Sequence, residues 1–146
     1  MATLIVPDVN VLVGAFHRDL ATHEADRAWL HDRLDRREPL GLAEPVLLGL
    51  LRVATHPRVF ASPAPTQAVV EFIEELVQAP SVRSLPTTGS VWARFRDLAS
   101  ADPHVRGNLI PDAWIAALAL AHGGAVATRD RGFRRFDGLD LLLLDE

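Results

Sequence analysis

Thr3-Leu4-Ile5-Val6-Pro7-Asp8-Val9-Asn10 sets a short apolar run directly against a carboxylate and then an amide. Such a run, closed by polar residues, reads as a buried strand ending in a turn. The pattern recurs along the chain. Leu40-Gly41-Leu42-Ala43 leads into Glu44-Pro45, and Ala125-Val126-Ala127-Thr128 leads into Arg129-Asp130. Asp112 opens another strongly apolar segment behind Pro111. Four carboxylates, Asp8, Glu44, Asp112 and Asp130, therefore stand at strand–helix junctions.

The segments between these strands read as helices. Residues 9–16 start a helix or a structured turn. Residues 22–37 form an amphipathic helix with Ala25, Ala28, Trp29 and Leu34 on one face and Asp26, Arg27, Asp32 and Arg33 opposite. Pro39 ends it. Residues 46–54 form an almost wholly apolar helix, with Pro45 suited to its first position. The proline-bearing segment 56–65 is a loop, and Thr66 is placed to cap a helix with Val69, Val70, Ile73, Leu76 and Val77 along one face. Residues 82–85 are a third strand, 90–99 a further helix and 102–109 a polar loop. The helix from Pro111 runs to His122 and stops at Gly123. Residues 125–128 and 139–144 are the last two strands. Strands separated by helices imply a three-layer α/β/α sandwich around a central, mostly parallel sheet of about five strands. The length of 146 residues fits a single domain over residues 1–146, large enough to need no disulfide or zinc staple.

Composition narrows the chemistry. All 15 basic residues are Arg, and Lys and Cys are both absent. That removes the P-loop lysine, Schiff-base chemistry, thiol nucleophiles and Cys-ligated zinc. A net charge of −4 argues against a passive nucleic-acid coat, though not against an enzyme that meets nucleic acid locally. The first residues carry no basic segment followed by an apolar stretch, and no apolar run reaches the ~20 residues of a membrane span, so the expectation is a cytoplasmic protein with no membrane contact.

Each acid has an ordinary explanation taken alone: a helix-dipole partner, a turn cap or an Asx-turn. Asp19, Asp26, Asp32 and Asp35 read as solvated helix-face charges. Taken together, the four junction acids are different. In an open α/β sheet, ligands bind outside the carboxyl ends of the strands, where these junctions converge. Two carboxylates ~4 Å apart repel by about 4 kcal/mol at an effective dielectric near 20, so such a cluster is protonated or binds a cation. All-oxygen ligands suit Mg²⁺ or Mn²⁺, which points to metal-assisted phosphodiester chemistry.

At Pro7-Asp8-Val9-Asn10, Glu44, Pro111-Asp112-Ala113-Trp114-Ile115-Ala116-Ala117-Leu118-Ala119 and Thr128-Arg129-Asp130-Arg131-Gly132-Phe133, the sequence resembles the PIN-domain nucleases, most closely the VapC toxins of bacterial toxin–antitoxin pairs. The resemblance implies a homodimeric, Mg²⁺- or Mn²⁺-dependent endoribonuclease silenced by a cognate VapB-type antitoxin. It implies Asp8, Asp112 and Asp130 as metal-shell carboxylates, with Glu44 binding metal or deprotonating water. Asn10 and Thr128 then orient carboxylates or phosphate oxygens from behind, or are a turn Asn and a strand-end Thr. Arg52, Arg129, Arg131, Arg134 and Arg135 are candidates for the RNA backbone, or a solvated surface. The six histidines read as surface or loop residues, and Trp29, Trp92 and Trp114 as core. The excess apolar surface of residues 46–51 and 141–144 suits the core, a dimer face or an antitoxin groove. A catalytically silent binding module, or a DNA nuclease or phosphatase on the same scaffold, are the competing readings.

Overall fold

In the computed structural model, which describes residues 3–144, five short strands pair into one sheet. They are β1 (Ile5–Pro7), β2 (Leu40–Leu42), β3 (Val82–Ser84), β4 (Ala125–Thr128) and β5 (Asp140–Leu143). The order across the sheet is β3-β2-β1-β4-β5, and all four pairings are parallel. Burial follows that order. The central strands β1, β2 and β4 are buried along their length, whereas edge strands β3 and β5 are partly open, so Val, Leu and Ala fill the middle while Arg83 and Asp140 are tolerated at the rims.

Parallel neighbours need crossovers, and six α-helices supply them among the described residues: α1 (Val9–Phe16), α2 (His23–Asp35), α3 (Glu44–Ala54), α4 (Thr66–Gln78), α5 (Gly89–Ala101) and α6 (Ile110–Ala121). The chain winds one way from β1 to β3, then returns past β1 to β4. With right-handed crossovers, that reversal puts α1 to α4 on one face and α5 with α6 on the other. The packing agrees: α1 lies on α2 and α3, α3 on α4, and α5 along α6. Between the layers sit Val6, Leu12, Leu40, Val46, Leu50, Val69, Leu118, Val126 and Phe133, all fully buried. The sequence-derived sandwich and its strands stand, with boundaries shifted by a residue or two. Gly123 adopts φ +69° just past α6, the left-handed stop expected of a helix C-terminus.

Several local expectations are corrected. The cap of α4 is Pro65, and Thr66 is its first helical residue. In α2 the buried residues are Asp26 and Leu30, whereas Ala25 and Ala28 are exposed; the helix is rotated from its expected setting. His17 is buried, its ring stacked on Phe60 with centroids 3.6 Å apart, and its Nε2 lies 3.1 Å from the carbonyl oxygen of Ser62. It ties loop 56–62 to the end of α1. Trp92 is 56 % exposed, stacked on Phe95, which packs in turn on Trp114.

Candidate active site

The winding of the chain reverses at β1, which has β2 on one side and β4 on the other, and the chain leaves β1 and β4 at the same edge of the parallel sheet. This is the switch point at which open α/β sheets bind ligands. Asp8 follows β1 there as the N-cap of α1, its Oδ1 accepting from the Val9 N–H at 2.7 Å. Asp130 follows β4, where its Oδ1 accepts from Gly132 N–H at 2.7 Å and caps a short 3₁₀ turn, Arg131–Arg135. Asp112 enters from the opposite layer, in the first turn of α6.

Thr128 joins these parts. Its fully buried hydroxyl donates to Asp8 Oδ2 at 2.7 Å and accepts from the Asp130 N–H at 3.0 Å. Asn10 Nδ2 approaches the same oxygen at 3.4 Å, and Asn10 Oδ1 accepts from the Arg129 N–H at 3.5 Å. A single hydroxyl thus indexes one carboxylate against the backbone of another, and Asn10 reinforces it from α1. Both residues hold the acids from behind.

Electrostatics couple the three aspartates. Burial pushes the Asp8 carboxyl up from its ordinary value, against the hydrogen bonds from Thr128 and Val9, and the Asp130 charge adds to the rise. Asp112 is pushed up to about 6, first by burial and then by the charges of Asp8 and Asp130. The three also line one cavity of about 380 Å³, whose other walls include Val9, Val13, Val53, Val59 and Phe60. Val59 and Phe60 come from the proline-bearing loop 56–65. A larger groove of about 1030 Å³ lies elsewhere, between α2 and α4 among Arg18, Arg27, Glu24 and Glu75, and none of the four junction acids reaches it.

Glu44 stands apart. It is exposed at the head of α3 and is not a wall of the acidic cavity. The α3 face turned to the site carries Gly49, where an added Cβ would press on Val9 at 2.7 Å, and Val53. At ~100° per residue, Glu44 sits about 140° around the helix from Gly49. Arg52 is exposed on the turn that carries Val53. Arg131 and Arg134 are exposed just beyond Asp130.

Two other arginines are not free phosphate contacts. Arg129 turns inward, its Nε and Nη2 donating to Asp26 Oδ1 at 2.9 and 2.6 Å. Asp26, read from sequence as a solvated charge, is fully buried. Arg135 Nε pairs with Asp102 Oδ2 at 2.9 Å. Nothing local marks the Asp26–Arg129 pair, because its members lie 103 residues apart.

The donor set fits a hard divalent cation: carboxylate oxygens only, with mutual repulsion that positive charge would relieve. Among the described residues, no three His, Cys, Asp or Glu side chains are grouped closely enough to enclose an ion by themselves. Mg²⁺, which keeps several waters and takes one or two protein carboxylates, suits such an open arrangement. No helix among the described residues is long and apolar enough to cross a membrane.

A family model described as the PIN domain matches residues 5–139. The chain is 41% identical over 133 residues to "VapC ribonuclease Mb2897" of Mycobacterium bovis, spanning 91% of this chain and 90% of that one. It is 39% identical to "Ribonuclease VapC48" of Mycobacterium tuberculosis over 134 residues, 90% of this chain and 91% of that one. The fold is shared with solved VapBC structures, among them VapBC2 from Rickettsia felis bound to a promoter DNA fragment, at TM-score 0.70 and 15% identity over 97% of this chain and 99% of that one. VapBC-1 from nontypeable Haemophilus influenzae superposes at TM-score 0.66 and 16% identity, covering 96% and 97%. A family match over most of its length, with relatives of this similarity, makes the chain a member of the PIN-domain family, in its VapC group.

Proposed function

We propose that this protein is an endoribonuclease toxin that cuts RNA phosphodiester bonds with Mg²⁺ or Mn²⁺ and is held silent by a VapB-type antitoxin. The observation that carries the reading is the convergence of Asp8, Asp112 and Asp130 at the switch point, with the Asp112 carboxyl raised to about 6 by burial and its two neighbours. Relatives bearing the name ribonuclease support the substrate class, and neighbours solved as VapBC complexes support the partner.

Asp8, Asp112 and Asp130 would hold the ion, some of them through bound water, and the ion when bound lowers the pKa of a coordinated water and stabilises charge on the phosphate. Thr128 keeps the Asp8 carboxylate oriented, and Asn10 braces the turn that presents Asp130. Arg131, Arg134 and Arg52 offer exposed cations around the rim for the RNA backbone. Glu44, exposed at the head of α3, is proposed to bind metal or to help deprotonate the attacking water. The homodimer is likewise proposed, supported by the uncovered Trp92 ring and by exposed Ile110 at the start of α6.

The test is cleavage by purified protein of single-stranded RNA, single-stranded DNA and a small phosphate monoester, with Mg²⁺ or Mn²⁺ and again with EDTA. RNA cleavage that needs the ion and is lost in Asp8→Asn supports the reading. Cleavage undiminished in Asp8→Asn, or of DNA or the monoester alone, overturns it.

A further inference from the structure

Asp26 is the one fully buried carboxylate among the described residues, in a helix whose other acids are exposed. Its Oδ1 receives both Nε and Nη2 of Arg129. Arg129 Nη1 donates to the Leu144 carbonyl at 3.3 Å, just beyond β5. The second oxygen, Oδ2, is buried with no hydrogen-bond partner among the described residues, and it lies against Gly14 of α1, where an added Cβ would stand 1.8 Å away. One guanidinium therefore ties α2 to the exits of β4 and β5, and the carboxylate it meets is seated on α1.

Stability is a poor explanation for this arrangement. A buried ion pair often gives no more stability than apolar residues of the same volume, and here half the carboxylate lacks a donor. Position explains it better. Arg129 sits between Thr128, which holds Asp8, and Asp130, the exposed acid of the cavity. Among the described residues, Asp130 is otherwise held locally, by Thr128 Oγ1 on its N–H and by the N–H of Gly132 on its own carboxylate.

We propose that the Asp26–Arg129 pair positions Asp130, acting as a strut from α2 that fixes the chain leaving β4 and so sets the Asp130 carboxylate against Asp8 and Asp112. Neither residue touches substrate; both are positioning residues. The kinetic part of the proposal rests on the nuclease reading, whereas the structural part does not.

The experiment compares Asp26→Asn, Arg129→Gln and Arg129→Lys with the parent in the full chain. Two measurements are made: single-turnover cleavage across RNA concentrations, and amide hydrogen exchange at Gly132 and Val126. Because a small displacement of a reacting group can lower rates by up to ~10²-fold, Asp26→Asn and Arg129→Gln are expected to lose about tenfold or more in rate at saturating RNA, with KM within about threefold of the parent. Arg129→Lys, which keeps a cation for Asp26, is expected to recover much of that loss. Exchange at Gly132 should rise about tenfold in the first two variants, while Val126 in the core of β4 is unchanged. Folded Asp26→Asn and Arg129→Gln proteins with parental rate and parental Gly132 exchange overturn the proposal. If Asp26→Asn does not fold, equal rates and equal exchange in Arg129→Gln and Arg129→Lys overturn it. If the parent itself fails to cut RNA, the nuclease reading falls, and Gly132 exchange alone decides whether the strut exists.

Discussion

The Thr128 hydroxyl lies 2.7 Å from Asp8 Oδ2, across 120 residues of sequence, and the same oxygen accepts from the N–H of Asp130. This contact welds the ends of β1 and β4 and orients an acid whose burial already opposes its charge. Replacing Thr128 with Val keeps the shape and removes the donor. An unmet buried acceptor costs about 1–3 kcal/mol. Thr128→Val is expected to lose that much stability in urea and to cut RNA at least tenfold more slowly, with the RNA dissociation constant little changed. Parental kinetics in a folded variant would remove Thr128 from the site.

Asp112 gives a pH prediction. Its folded carboxyl is raised from 3.8 to about 6, so between those values the native state binds more protons than the unfolded chain. Stability contributed by the protonated form is complete below 3.8 and is lost as pH rises through about 6. Metal-free protein should therefore lose stability from this group across that interval and gain none back above it. Asp112→Asn removes the effect. Allowing for its partial exposure, the gain is on the order of 1 kcal/mol at pH 7.5 in EDTA, or roughly 2–4 °C in Tm. Mn²⁺ should raise the Tm of the parent and not that of the variant. A variant melting below the parent in EDTA would contradict the electrostatic account.

Arg131 and Arg134 differ from Arg129 in pointing to solvent, and they should act on affinity alone. Arg131→Ala with Arg134→Ala is expected to weaken RNA binding severalfold and to flatten its salt dependence by about one to two units of slope, with kcat within about twofold of the parent. Filter binding across a salt series reads the first, and cleavage at saturating RNA the second. An unchanged slope places the RNA elsewhere on the surface.

Trp92 stacks on Phe95 yet exposes more than half its surface, so truncating it removes little buried area. Trp92→Ser should leave the unfolding free energy within about 1 kcal/mol of the parent. If α5 carries the homodimer, the same variant runs as a monomer in light scattering at concentrations where the parent is dimeric. A variant that stays dimeric locates that interface away from α5.

The strands and the three converging aspartates were legible because each is a local signal: a short apolar run, a helix start, an acid at the junction. What escaped is non-local. Asp26 looks like a surface charge by helical periodicity, since the period cannot know that Arg129 arrives from β4 to neutralise it. His17 looked like a loop residue because its stacking partner Phe60 lies in a loop with no periodic signal. Glu44 has the expected position in the pattern, just beyond the end of β2, and its exposure at the head of α3 is what the pattern could not supply, because a helix start fixes where a side chain begins and not which way around the axis it faces. The apolar wall of Val53, Val59 and Phe60 was hidden for the same reason: it is assembled from a helix and an irregular loop.

The strand order has a further consequence, for synthesis. β1 is made well before β4, yet they are neighbours, and Asp8 acquires its Thr128 partner only when both are in place. At about 5–20 residues per second, a ribosome spends several seconds on a chain that holds Asp8 and, for most of that time, no Asp130. A product that stops before Thr128 therefore carries Asp8 without the hydroxyl that orients it and without Asp130, so the three-aspartate site does not exist until β4 has been made.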